Sequence, residues 1–191
     1  MKYYHGSPNG NLTELKTQKS NDGYIWLAED YCFALLYAGN PVRFWAVDKE
    51  SGRLIIREVQ PNSLELMYKN KPCYIYSISN VGEFEQYNFK GRKSIRLNYD
   101  VKIEEKEFIP DAYEKMLELE KQGILILRRW NDLTLEQQED EKASIIRTFK
   151  PVMQEEFNRF PDEYKLLTEL FEELKLENIE KENIKGEKEN E

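Results

Sequence analysis

The chain has 191 residues, 40% apolar and 34% charged, with a formal charge of −8. That length supplies one good-sized core, or one domain and an appendage. The acidic balance without a basic stripe argues against a nucleic-acid partner, and no apolar run approaches the ~20 residues of a membrane span. The amino terminus, Met1-Lys2-Tyr3-Tyr4-His5, has no apolar signal-peptide core, so a cytoplasmic protein is expected. Cys32 and Cys73 lack metal-ligand spacing and lie in apolar segments, and there is one histidine; no metal is expected, and the thiols read as buried and reduced.

The composition changes near residue 105. Before it, aromatic and β-branched runs alternate with Gly, Pro and Asn. Tyr3-Tyr4-His5 reads as a short strand closed by Gly6-Ser7-Pro8-Asn9-Gly10, and Tyr24 to Ala28 as a second strand. A helix of about two turns follows, with Asp30 as N-cap and Gly39 just past its end. Val42 to Val47 and Arg53 to Val59 read as strands around a hairpin loop at Asp48 to Gly52. Pro61 to Tyr68 reads as a turn or short helix, Cys73 to Ile78 as a strand, and Ser94 to Ile103 as one or two more. After residue 105 the spacing is helical. Ala112, Met116 and Leu119 mark a helix over Pro110 to Gln122 stopped by Gly123, with a solvated Glu/Lys face running from Glu104 to Lys121. Ile124 to Leu127 is a short strand or a buried connector. Thr134 and Gln137 fit a capping box for a helix reaching Phe149. Two further helices are expected over Val152 to Arg159 and Pro161 to Leu176. Residues 177–191 have no apolar periodicity and are expected to be disordered.

Chemistry concentrates early. A strand ending in His5-Gly6-Ser7 presents an imidazole, a backbone without Cβ and a hydroxyl; the glycine allows a flat ligand to approach the main chain. Period-2 alternation sets Tyr24, Trp26 and Ala28 on one face of the second strand and Ile25 and Leu27 on the other. The helix brings Tyr37 back toward the aromatic face. Together these residues suit a slot for a planar aromatic amide. Read more plainly, the three aromatics are core residues and His-Gly-Ser is a turn.

This order of motifs resembles the ADP-ribosyltransferase superfamily in its poly(ADP-ribose)-polymerase-like branch: His5-Gly6-Ser7, then Gly23-Tyr24-Ile25-Trp26-Leu27-Ala28, then Ala34-Leu35-Leu36-Tyr37. With Tyr74-Ile75-Tyr76-Ser77-Ile78 it is similar above all to uncharacterised bacterial His-Gly-Ser proteins. The resemblance spans residues 2 to 105 and implies an α+β fold with a split β-sheet core that takes NAD+ as substrate or ligand, here followed by a helical C-terminal extension. With the change in composition near residue 105, the expected organisation is a domain over 1–105, an extension packed on it over 106–176 and a disordered tail over 177–191. By position, His5 would hold the NAD+ ribose, Gly6 would pair with the nicotinamide amide, Ser7 would sit beside it, and Trp26 and Tyr37 would take the two stacking positions, with Tyr24 adding a ring to that face.

The sequence departs from the family at three places. Trp26 stands for a tyrosine and offers only a donor. Ala34 stands where many members have a serine. The stretch matching the catalytic glutamate reads Gly91-Arg92-Lys93-Ser94-Ile95-Arg96-Leu97-Asn98, with no carboxylate, and Glu83 and Glu85 come too early and read as surface residues. Arg92, Lys93 and Arg96 read as a solvated edge or as a phosphate clamp. The expected function is therefore an ADP-ribosyltransferase-like protein that binds NAD+ or an ADP-ribose-type nucleotide and transfers ADP-ribose to a protein acceptor or hydrolyses NAD+. The alternatives are a catalytically degenerate nucleotide-binding or sequestering module, and a phage or antitoxin-type accessory protein that docks a partner through Phe157, Leu166, Leu167, Leu170, Phe171 and Leu174. That apolar stripe also reads as the face packing the extension.

Overall fold

Eleven strands and five helices follow in chain order in a computed structural model that describes residues 1–20, 22–39, 43–153, 158 and 161–175. The strands are β1 (Tyr3–Ser7), β2 (Glu14–Leu15), β3 (Ile25–Ala28), β4 (Trp45–Val47), β5 (Leu54–Arg57), β6 (Cys73–Ile78), β7 (Glu85–Phe89), β8 (Arg92–Leu97), β9 (Val101–Lys102), β10 (Glu105–Ile109) and β11 (Leu125–Arg128). The helices are α1 (Tyr31–Gly39), α2 (Ser63–Tyr68), α3 (Ala112–Lys121), α4 (Leu135–Phe149) and α5 (Pro161–Leu170). The fold is α+β, as expected.

Six strands form an antiparallel sheet in the order β10-β6-β1-β3-β8-β7. A second sheet, β11-β5-β4, contains the parallel pair β5–β11, and β2 pairs with β9. Residue contacts divide the chain into two units: Met1–Arg57 with Leu64–Arg128, and Glu58–Ser63 with Arg129–Glu191. The boundary expected at residue 105 thus falls inside the first unit. Strand β10 pairs with β6 along five positions, and β11 with β5 along four. The Glu/Lys face expected to be helical from Glu104 is solvated but begins as strand β10; the helix starts at Ala112. Asp111 caps it by accepting from Tyr113 N and Glu114 N.

Register decides which side chains meet. Tyr4 pairs with Ala28, and Ala28 with Ser94, so Tyr4, Gly6, Trp26, Ala28 and Ser94 share one face. Tyr3, Ile25, Leu27, Ile78, Ile95 and Leu97 share the other, where they form a core cluster with Leu15 and Val101. Each such burial contributes about 1.5–3 kcal/mol. Helix α1 lies on the first face, against β1, β6 and β3. It is buried almost all round, from Cys32 to Leu36 and again at Ala38, while Tyr37 is exposed at 41%. Asp30 caps it, accepting from Phe33 N at 3.1 Å. Burial pushes the thiol of Cys32 up to about 12 and that of Cys73 up to about 11, so neither is a nucleophile at neutral pH.

In the second unit the capping box of Thr134 and Gln137 opens α4 as expected. Of the apolar stripe, Leu167, Leu170, Phe171 and Leu174 are buried within the chain, which removes them as a ready docking face. Phe157 lies outside the described residues, as do most of the helix expected over Val152 to Arg159 and the whole 177–191 tail. Val42, at the start of the strand expected up to Val47, lies outside them too.

Candidate functional site

The sheet splits between β1 and β3. Tyr4↔Ala28 is their one ladder pair; beyond it β1 continues against β6 alone, while β3 continues against β8. The connecting segment is drawn off sideways. Glu14–Leu15 pairs with Val101–Lys102, and Asp100 accepts from Thr17 N at 2.9 Å and Thr17 Oγ1 at 3.0 Å.

His5 stands in this split. By alternation its side chain belongs to the core face, opposite Gly6, yet with no neighbouring strand in the way the imidazole reaches Trp26. Its Nδ1 donates to the Trp26 carbonyl oxygen at 3.1 Å. A carbonyl only accepts, so the proton is on Nδ1 and Nε2 keeps a lone pair. Burial lowers the pKa from 6.5, with the Trp26 bond opposing the shift. The folded chain therefore refuses a proton that the unfolded chain binds. Stability from this group is full above pH 6.5 and is lost as pH falls below 6.5 toward the lowered folded value. His5 is the chain's single histidine, so an NMR titration of imidazole is unambiguous. A midpoint below 6.5 with Nδ1 protonated is expected; a midpoint at or above it would show the ring to be solvated rather than seated in the split.

A cavity of about 500 Å³ opens on the α1 face of the split, within the range of small-molecule sites. Its strand side presents His5, Gly6, Trp26, Ala28, Phe89 and Ser94, and its helix side Phe33, Ala34, Tyr37 and Arg43. A second cavity of about 380 Å³ holds Ser7, Tyr24, Lys16 and Lys19 and shares His5, Ser20 and Trp26 with the first. So four of the six residues singled out in the sequence, His5, Gly6, Trp26 and Tyr37, meet in one cavity. Ser7 and Tyr24 lie in its neighbour.

The aromatic groups are tightly held. Trp26 Nε1 donates to Asp22 Oδ2 at 2.8 Å, so its one polar atom is occupied and the indole offers a ligand only its faces. Its ring packs edge-on against Tyr87 at 5.0 Å and tilted against Phe89 at 5.5 Å. Tyr37 has Phe33 edge-on at 5.0 Å and the Arg43 guanidinium over its face at 3.9 Å. Tyr24 is covered by Arg96 at 3.8 Å.

Two expectations change here. The space that a Cβ on Gly6 would need is taken by α1, with Ala34 O at 2.0 Å from that point. The glycine is required first by helix packing, and a ligand can approach it only along the main-chain edge facing the split. The basic stretch is no clamp: Arg92 is 11% exposed, paired with Asp30 and donating to Gly52 O at 2.6 Å, and Arg96 pairs with Glu85 at 2.6 Å while lying on Tyr24. Lys93 is exposed. Glu85 is held below its ordinary pKa by the Arg96 hydrogen bond, as suits an ionised surface group. Strand β8 brings Ser94 to the cavity, and no carboxylate is found among the described lining residues.

Sequence reasoning missed Arg43, Phe89 and Ser94. Nothing local marks Arg43. Phe89 had a signal: Lys90 and Gly91, with φ of 48° and 92°, make the two-residue turn that pairs Phe89 with Arg92. Fold and site together define a class, an α+β protein with an antiparallel sheet split at a histidine and an aromatic cavity on one side of the split. Comparison with family models, curated proteins and solved structures gave no match.

Proposed function

We propose that this chain is an ADP-ribosyltransferase-like protein that binds NAD+ or a related ADP-ribose-type nucleotide in the split and does not turn it over. The observation that carries the reading is the seating of His5. A neutral imidazole fixed through Nδ1 leaves Nε2 as an acceptor for a sugar hydroxyl, beside a cavity walled by Trp26, Phe89, Phe33 and Tyr37. The planar ring of the ligand stacks in that cavity, its amide against the main-chain edge at Gly6, and the rest of the nucleotide runs toward the second cavity, where Lys19 supplies positive charge and Lys16 is paired with Glu14. Binding without turnover follows from the lining. Loss of nicotinamide leaves positive charge on the sugar and a carboxylate would stabilise it; the described lining of the first cavity supplies none, and Glu14 at the second is paired with Lys16 at 2.7 Å.

Thermal denaturation tests the reading. A ligand at 100 times its Kd adds about 2.7 kcal/mol of stability. NAD+ or ADP-ribose should raise the unfolding temperature of the wild type, and His5→Ala should lose most of that rise while keeping its circular dichroism spectrum. Nicotinamide should not accumulate. If no such nucleotide stabilises the protein, the proposal fails. If nicotinamide accumulates with the wild type but not with His5→Ala, the protein is an enzyme and a carboxylate reaches the site from elsewhere.

A further inference from the structure

We infer that Asp22 is a positioning residue for the site: through Trp26 it sets the wall on which the ligand's planar ring stacks, an assignment that rests on the nucleotide-binding reading above. Asp22 is exposed and lies outside the described lining of both cavities. Its carboxylate gathers three donors. Oδ1 accepts from Ser20 Oγ at 2.8 Å and from Tyr24 N at 3.0 Å, and Oδ2 accepts from Trp26 Nε1 at 2.8 Å. Ser20 and Trp26 line both cavities, and Tyr24 lines the second.

The two oxygens have separate roles. The Oδ1 bonds close the turn that leads into β3, and a turn of this kind needs no second oxygen. The Oδ2 bond serves the indole alone. Packing of that ring against Tyr87 and Phe89 tolerates a range of tilts, whereas a hydrogen bond has a preferred direction. The main chain of Trp26 is fixed separately, by the His5 bond to its carbonyl and by pairing with Arg96 in β8. Asp22 therefore sets the tilt of the indole face between the two cavities. A stacked ring is sensitive to that tilt, because overlap of the two faces supplies the contact. All three groups that meet Asp22 are donors, so the position calls for a side chain that only accepts.

Asp22→Asn separates the two roles. The orientation that keeps two bonds places the amide oxygen at the turn and sets the NH2 against the indole N–H, donor against donor. NAD+ and ADP-ribose are matched probes, since ADP-ribose lacks the nicotinamide ring. Isothermal titration of the full chain should show NAD+ about tenfold weaker in Asp22→Asn, equivalent to 1.4 kcal/mol, with ADP-ribose within about twofold of the wild type. The Trp26 indole N–H resonance, assigned by its loss in Trp26→Phe, should move upfield as the charge-assisted bond disappears. In the Trp26→Phe background, which keeps a stacking face but has no N–H, Asp22→Asn should weaken NAD+ no further. An NAD+ affinity or an indole resonance unchanged in Asp22→Asn overturns the assignment while nucleotide binding stands. Equal losses for NAD+ and ADP-ribose, or a full further loss in the Trp26→Phe background, would show Asp22 acting on the whole segment rather than through the indole, and also overturn it. Wild type that binds ADP-ribose but not NAD+ removes the stacked ring that the assignment requires. Failure of both nucleotides to bind the wild type brings down the nucleotide-binding reading, and this inference with it.

Discussion

Gly6→Ala should destabilise the protein by about 3 kcal/mol or more, at the upper end of what overpacking a core costs. The new methyl group would lie 2.0 Å from Ala34 O and 2.8 Å from both Ala38 N and Ala38 Cβ. Two of those three are backbone atoms of α1, so no rotamer change relieves the contact; the whole helix must move away from β1. That movement carries Phe33 and Tyr37 with it and alters the cavity, so ligand-dependent stabilisation should be lost together with stability. Urea unfolding provides the measurement: the midpoint should fall with little change in slope. A loss under about 1 kcal/mol would mean that α1 slides easily over the sheet, and the packing account of Gly6 would be wrong.

Arg92→Ala should cost about 2 kcal/mol or more, well above an ordinary surface substitution. Its side chain is 11% exposed and that of Asp30 27%, so removing the guanidinium leaves a largely desolvated carboxylate at the start of α1. The same group holds Gly52 O, tying β8 to the β4–β5 turn. Arg92→Lys should recover little, because one ammonium cannot match a planar fork that reaches a carboxylate and a carbonyl through separate nitrogens. The double variant with Asp30→Asn should be less destabilised than the sum of the two single changes, since either change alone already breaks the pair. Full additivity would show that the two residues act independently and that Arg92 is the solvated edge residue its sequence context suggests.

Strand β10 shows why parts of the fold escape sequence reading. Glu105-Lys106-Glu107-Phe108-Ile109 has the charge density of a helix face, and four of its five residues are exposed. It is a strand because β6 offers it a hydrogen-bonding edge, and its charges suit the outermost position of a sheet. Strand β7 is the other edge and is equally polar. The composition change near residue 105 misplaced the boundary for the same reason: β10 and β11 join the first unit, which runs on to Arg128, through pairing with β6 and β5, distant in sequence. Features governed by a few neighbouring residues were legible, among them the Asp30 cap, the Thr134–Gln137 capping box, the helix over Ala112 to Lys121 and the alternation of β3.

The site divides along the same line. By itself the sequence determined that His5, Gly6, Trp26 and Tyr37 lie on successive elements able to converge, because strand and helix periods set side-chain direction locally. Only the tertiary structure decided that His5 starts on the opposite face from Gly6 and reaches Trp26 through a split, that the space beside Gly6 belongs to Ala34, and that guanidiniums cover Tyr37 and Tyr24. Those outcomes depend on strand register and on helix position against the sheet. Both arise from pairing between segments far apart in the chain, which no local pattern of residues encodes.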